Sequence, residues 1–151
     1  MSYELRPVST AADWQAMHDI RRATLFAPGR HGERVVYDDQ HPDDRDPGNQ
    51  CFVFLFNSEP IGVARLDRRG ADGGVVRLVA ILPDLQGGGH GRAMGAMIDE
   101  AARARGMTHL VINSAPTATG FYEKTGWIRA EWDASELIGI ASRCVQMRKT
   151  L

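Results

Sequence analysis

The sequence has little cysteine, almost no net charge and no long apolar run, and each shortage removes a class of protein. Its two cysteines, Cys51 and Cys144, stand far apart and outside any ligand-like spacing. They read as reduced core thiols rather than a disulfide or half of a metal site. The five histidines likewise show no metal-binding spacing,. Basic and acidic side chains nearly cancel, leaving a formal net charge of -1. A general polyanion-binding surface is therefore not encoded, and nucleic acid is a poor default partner. No stretch approaches the roughly 18 apolar residues of a membrane span, and the opening Met-Ser-Tyr-Glu-Leu-Arg lacks the apolar core of a secretion signal,. The expectation is a cytoplasmic protein without a membrane partner. A chain of 151 residues suits one domain, 1–151, with a single sizeable core,.

Glycine, by contrast, is concentrated in one place: residues 86–92 read Gln86, Gly87, Gly88, Gly89, His90, Gly91, Arg92. Glycines leave backbone N–H groups unshielded, and a helix that follows adds its own unpaired N–H groups and the positive end of its dipole. Such a turn holds an anion, a phosphate above all. A Walker loop is excluded, because no lysine or hydroxyl residue lies in the turn,. A dinucleotide fingerprint fits poorly: counted from Gly89 its third position is Met94, and counted from Gly87 it is Arg92,. A third pattern fits, Gln/Arg-x-x-Gly-x-Gly/Ala, carried here by Gln86, Gly89 and Gly91.

Alternation over residues 3–8 suits a first strand, and Thr10 with Asp13 marks a helix start whose Trp14, Met17 and Ile20 face a core,. Residues 27–50 are broken by Pro28, Gly29, Gly32, Pro42, Pro47 and Gly48, and only Val35, Val36 and Tyr37 offer a short apolar element,. This irregular stretch carries Asp38, Asp39, Asp43, Asp44 and Asp46 against Arg45, a charge excess that either attracts a cationic acceptor or simply faces water,. Strands follow over residues 51–56, 61–66 and 75–82, then the glycine turn, a helix from about His90 to Arg105, and a strand over residues 108–113,. Strand, turn, helix and strand make a crossover unit with parallel neighbours. A short helix over residues 117–124 and strands over residues 127–132 and 144–149 complete the chain.

About thirty residues after the glycine turn stands a second motif, Ala118-Thr119-Gly120-Phe121-Tyr122-Glu123-Lys124-Thr125-Gly126-Trp127. It is similar to the Ala-x-x-Phe-Tyr-x-Lys-x-Gly-Phe segment of the GNAT acetyltransferases, and the glycine turn resembles that family's pyrophosphate loop. The resemblance covers residues 51–151 and fits the first fifty residues loosely. It implies an α/β GNAT fold, with a mixed central β-sheet splayed between the fourth and fifth strands and flanked by helices. It also implies an acetyl-CoA-dependent N-acetyltransferase that passes an acetyl group to a primary amine of a small molecule by direct attack in a ternary complex. Acetyl-CoA would be the cosubstrate, without a metal. Its pyrophosphate would lie on the N–H groups of Gly87, Gly88, Gly89, His90, Gly91 and Arg92, with Gln86 also in the cofactor site, and its pantetheine arm would lie beside Val79, Ala80 and Ile81, with a splay after Ile81 baring an N–H for the thioester oxygen. Asn113 would offer its amide to the cofactor.

Tyr122 matches the position where many members of the family hold a tyrosine near the departing sulfur. A phenol of reference pKa about 10 can protonate a thiolate whose conjugate acid lies near 8.5, a transfer only mildly uphill. Several family members also place a carboxylate on the strand before the glycine turn, where this chain has Arg77. That departure leaves a carboxylate of the Asp38–Asp46 stretch, a water relay or an already neutral acceptor to account for the proton. Two other readings stand beside the enzyme: a non-catalytic acyl-CoA-binding module, and a transferase for protein or peptide amines. A homodimer through exposed edge strands is compatible with this fold.

Overall fold

The computed structural model describes residues 2–30 and 35–151. Seven strands form one sheet: β1 (Tyr3–Pro7), β2 (Asn49–Phe56), β3 (Glu59–Arg69), β4 (Gly73–Ile81), β5 (His109–Ser114), β6 (Ile128–Arg129) and β7 (Val145–Thr150). Their spatial order is β1-β2-β3-β4-β5-β7-β6. Three helices flank it, α1 (Ala11–Ala23), α2 (His90–Ala104) and α3 (Thr119–Lys124). The expected mixed α/β architecture is present, with β2, β3 and β4 an antiparallel meander and β4 parallel to β5.

Alternation along the strands assigns each side chain to a face. Phe52, Phe54, Ala64, Leu66, Val76, Ile112 and Met147 pack with Met94, Ile98 and Ala102 of α2. Cys51, Val53, Leu55 and Val63 turn the other way, onto Met17 and Ile20 of α1. The start of α1 is pinned by a capping box in which Thr10 Oγ1 accepts from the Asp13 N–H and Asp13 accepts from the Thr10 N–H,. By the same alternation Arg65, Arg77, Asn113 and Gln146 point to the α1 side, beyond the reach of that short helix. Charged and amide groups cover the sheet there.

Some expectations need correction. Val35, Val36 and Tyr37 form no strand; the expected break at Gly32 lies outside the described residues. The sixth strand shrinks from residues 127–132 to Ile128–Arg129, because Trp132 N–H turns inward to Gln146 Oε1 at 2.9 Å instead of continuing the ladder. The largest difference is the splay. β4 and β5 pair only from Gly73↔His109 to Val76↔Ile112, so they part after Val76, five residues earlier than the expected parting after Ile81. The cause is a bulge: the β3–β4 register shifts between Val63 and Arg65, with Leu78 in the left-handed region at φ 53°. A leucine there costs on the order of 1–2 kcal/mol, and the extra residue bends the strand away from β5.

Candidate active site

The glycine turn leaves β4 through a 3-10 turn, Pro83–Leu85, and enters α2 at Gly89. Gly87 and Gly89 take positive φ, 81° and 87°, which L side chains resist. Among the described residues, no acceptor meets the N–H groups of residues 87–92, and a Cβ built on Gly87 or Gly89 touches nothing within 4 Å. Six consecutive donors at the positive end of a four-turn helix thus border open space, the geometry an anionic diphosphate requires. Gln86 plays a different part, for its Nε2 donates to the Ile81 carbonyl at 3.0 Å and ties the turn to the end of β4. The ring of His90 is also engaged, its Nδ1 lying 2.8 Å from the Tyr3 hydroxyl. Arg92 stays exposed at the cleft. Gly89→Val is expected to weaken coenzyme A binding by more than tenfold in calorimetry while the protein stays folded, since the new side chain strains the cap and enters the empty space. Unchanged affinity would remove the turn from the binding site.

Two cavities open on opposite faces of β4 where it leaves β5. One, about 370 Å³, lies on the α2 face and is lined by Val76, Val79, Arg92, Met94, Tyr122 and Lys149 among others. Half-buried Tyr122 is held there by edge-on contacts with Phe121 and Trp127, at centroid distances of 5.3 and 5.8 Å. Its hydroxyl meets no hydrogen-bond partner among the described residues, and burial pushes its pKa up to about 12. The group therefore stays a proton donor throughout the neutral range. The second cavity, about 380 Å³, lies on the α1 side and is lined by Asp43, Arg65, Asp67, Arg77, Ser135, Glu136 and Ile138. Between them, from Arg77 to Ile81, the edge of β4 that faces β5 has no partner strand among the described residues. A chain with peptide-like amides can add to such an edge from one side while a second reactant approaches from the other. Val79 lines the first cavity, Ala80 packs on the α1 side and Ile81 belongs to the α2-side core.

The floor of the second cavity is a polar rung across the sheet. Arg77 Nε donates to Asp67 at 3.0 Å, while its two terminal nitrogens grip Glu136 at 2.8 and 3.1 Å. Glu136 Oε1 also accepts from Asn113 Nδ2 at 3.2 Å, and Asn113 Oδ1 accepts from Gln146 Nε2 at 3.0 Å. Gln146 in turn accepts the N–H groups of Trp132 and Asp133 and donates to the Asp133 carbonyl, fixing the segment that carries Glu136. The Arg77 hydrogen bonds hold the Glu136 carboxyl below its ordinary range. On the other side Arg65 joins Asp67 at 2.7 Å and Asp44 at 3.1 Å, and Asp44 also binds Arg21 at 2.8 Å.

These contacts sort the sequence candidates. Gly91, Arg92 and Tyr122 line the α2-face cleft together, and Gly87 to His90 lead into it from the end of β4. Asn113 faces the opposite way, its amide shared between Glu136 and Gln146 rather than open to a cofactor. Arg77 is not a free recognition group. Of the acidic stretch, Asp44 is buried between two arginines, Asp39 pairs with Arg22, and Asp38 and Asp46 cap backbone N–H groups two residues on. Asp43 alone of the five lines the polar cavity. Glu136 escaped the sequence reading. Its one local signal is the spacing Asp133-x-x-Glu136, which marks a helical start, here a 3-10 turn capped by Asp133.

Comparison with known proteins gives the same fold. A family model described as an acetyltransferase (GNAT) domain matches residues 32–151. No curated protein matches the sequence. Among solved structures, a Lactobacillus plantarum protein taken to be an N-acetyltransferase superposes with TM-score 0.78 at 23% identity, covering 100% of this chain and 99% of its own. The PaiA N-acetyltransferase of Thermoplasma acidophilum, solved with coenzyme A, gives 0.77 at 15% identity over 100% of both chains. An aminoglycoside 6'-N-acetyltransferase, also solved with coenzyme A, gives 0.73 at 13% identity over 99% and 97%. No helix among the described residues is long and apolar enough to cross a membrane.

Proposed function

Because this chain belongs to the GNAT acetyltransferase family, we propose that it works as one domain that transfers the acetyl group of acetyl-CoA to a primary amine of a small molecule. The observation that carries this reading is the pair of cavities meeting across the unpaired edge of β4. The open N–H groups of residues 87–92 suit the diphosphate, and Arg92 can add a charge-assisted bond. The free edge at Val79, Ala80 and Ile81 suits the amide-bearing arm. The acceptor enters from the polar side. Its nitrogen attacks the thioester carbon directly, a carbon–nitrogen bond forms as the carbon–sulfur bond breaks, and Tyr122 donates its proton to the departing sulfur. The nitrogen's own surplus proton leaves through water or the Asp43 carboxylate at the rim. Neither cysteine suits a covalent intermediate, since burial pushes the Cys51 thiol up to about 11 and raises that of Cys144,.

The test is thiol release from acetyl-CoA across a panel of small amines, amino acids and peptides, with coenzyme A binding measured separately. Acetylation of at least one amine supports the transferase. Binding without release for every acceptor supports the silent acyl-CoA-binding module, a reading favoured by the absence of a carboxylate from β4.

A further inference from the structure

The β4–β5 ladder ends at Val76↔Ile112, and the next residue on each strand, Arg77 and Asn113, donates to the same oxygen, Oε1 of Glu136. A carboxylate from a distant segment therefore spans the mouth of the splay. Its other oxygen, Oε2, accepts a single bond among the described residues, from Arg77, which leaves a lone pair for a ligand of the polar cavity that Glu136 lines,. Around it Arg21, Arg65 and Arg77 are matched by Asp44, Asp67 and Glu136. Asp43 on the rim adds a negative charge that, among the described residues, no basic side chain nearer than His41 at 3.8 Å offsets. The cavity thus carries an anionic excess with both of its arginines already engaged.

Resting on the transferase reading and deepening it, we propose that Glu136 is the specificity-determining residue for the acceptor. It takes the ammonium of a cationic alkylamine on Oε2, from which one proton passes to water or to the Asp43 carboxylate before the nitrogen attacks, and it turns away α-amino acids. Two physical reasons support this. An ammonium finds acceptors at Glu136 Oε2, the Ser135 hydroxyl oxygen and Asp43, whereas a carboxylate on the adjacent carbon meets those same carboxylates and, among the described residues lining the cavity, no uncommitted guanidinium,. Second, the Trp132–Glu136 segment is stapled to Gln146, so Oε2 is held in place before the acceptor arrives, and little ordering entropy opposes binding.

The experiment uses matched pairs that differ by one carboxylate: pentylamine against norleucine, and cadaverine against lysine, with acetyl-CoA saturating. The expected result is a kcat/KM at least about 100-fold higher for the amine of each pair. Glu136→Gln should raise the amine KM about 10- to 100-fold, the loss of one charged hydrogen bond, with kcat and coenzyme A affinity nearly unchanged. Glu136→Asp should recover part of that loss, which a purely structural role does not predict. Preference for the amino acids, an unchanged KM in Glu136→Gln, or no turnover of either amine by a protein that binds coenzyme A would overturn the proposal and leave the cofactor site standing. A wild-type protein that fails to bind coenzyme A would overturn both.

Discussion

Tyr122→Phe is expected to lower kcat by about 10²- to 10⁴-fold, the range for loss of the general acid proposed above, and to leave the affinity for acetyl-CoA within about twofold. Burial against Phe121 and Trp127 keeps the ring where it is without its hydroxyl, since that hydroxyl bonds to nothing among the described residues. Stability should change little for the same reason. A phenol held near 12 is a weak acid toward a thiolate near 8.5, so the transfer costs on the order of 5 kcal/mol if it runs to completion before the carbon–sulfur bond breaks. A proton that moves as charge builds on sulfur avoids most of this. Rapid-mixing measurement of the acetyl-transfer step, beside equilibrium binding, separates the outcomes. A turnover equal to wild type assigns the tyrosine to packing alone.

Asp44→Ala should damage the fold severely, destabilising by about 3–5 kcal/mol because it leaves the buried Arg21 guanidinium without a carboxylate and takes from Arg65 one of its two,. Arg65 keeps Asp67, but Arg21 has no second carboxylate among the described residues, and its Nε meets no partner there. At 2–4 °C per kcal/mol for a chain of this size, the melting temperature falls by roughly 10 °C. Arg45, stacked 4.4 Å from the Trp14 ring centre, keeps the Pro42–Arg45 turn near α1, so the damage is to stability more than to topology. The acid limb follows from the same group. Burial alone would raise the Asp44 carboxyl, but the hydrogen bonds of Arg21 and Arg65 prevail and lower it. Its contribution is therefore complete above the unfolded value near 3.9 and disappears as pH falls through the folded one. Wild type should lose stability on acidification below about pH 4, and Asp44→Ala should lose less over that interval. Equal acid slopes in the two proteins would contradict this assignment.

What could be read from the sequence was local. The glycine turn, the Ala118–Trp127 motif and the strand–helix–strand crossover each lie within a few dozen contiguous residues, and dihedral preference and periodicity act over that distance. The point where the sheet divides was not legible, because nothing in Arg77-Leu78-Val79 announces a left-handed leucine; β3 imposes it by its register. Glu136 was invisible for another reason. Its partner Arg77 is 59 positions away, and one acid in an irregular stretch resembles any other until the fold sets it beside β4. Asp44 likewise looked like its four neighbours, and only Arg21 and Arg65, 23 and 21 positions away, single it out.

Four rungs of parallel ladder, Gly73 to Val76, are the backbone seam between the β1–β4 and β5–β7 plates among the described residues. Beyond that seam the plates are joined by side chains, through the α2 core and the Arg77–Glu136–Asn113 bridge, and a ligand along the free margin of β4 would act as a splint. Deuterium uptake at Val79, Ala80 and Ile81 should therefore slow on adding coenzyme A, and at 100 times its Kd the ligand should raise global stability by about 2.7 kcal/mol. On the proposed binding mode occupancy and rigidity are one variable: cohesion is lowest at the place where the reactants would fit between the strands.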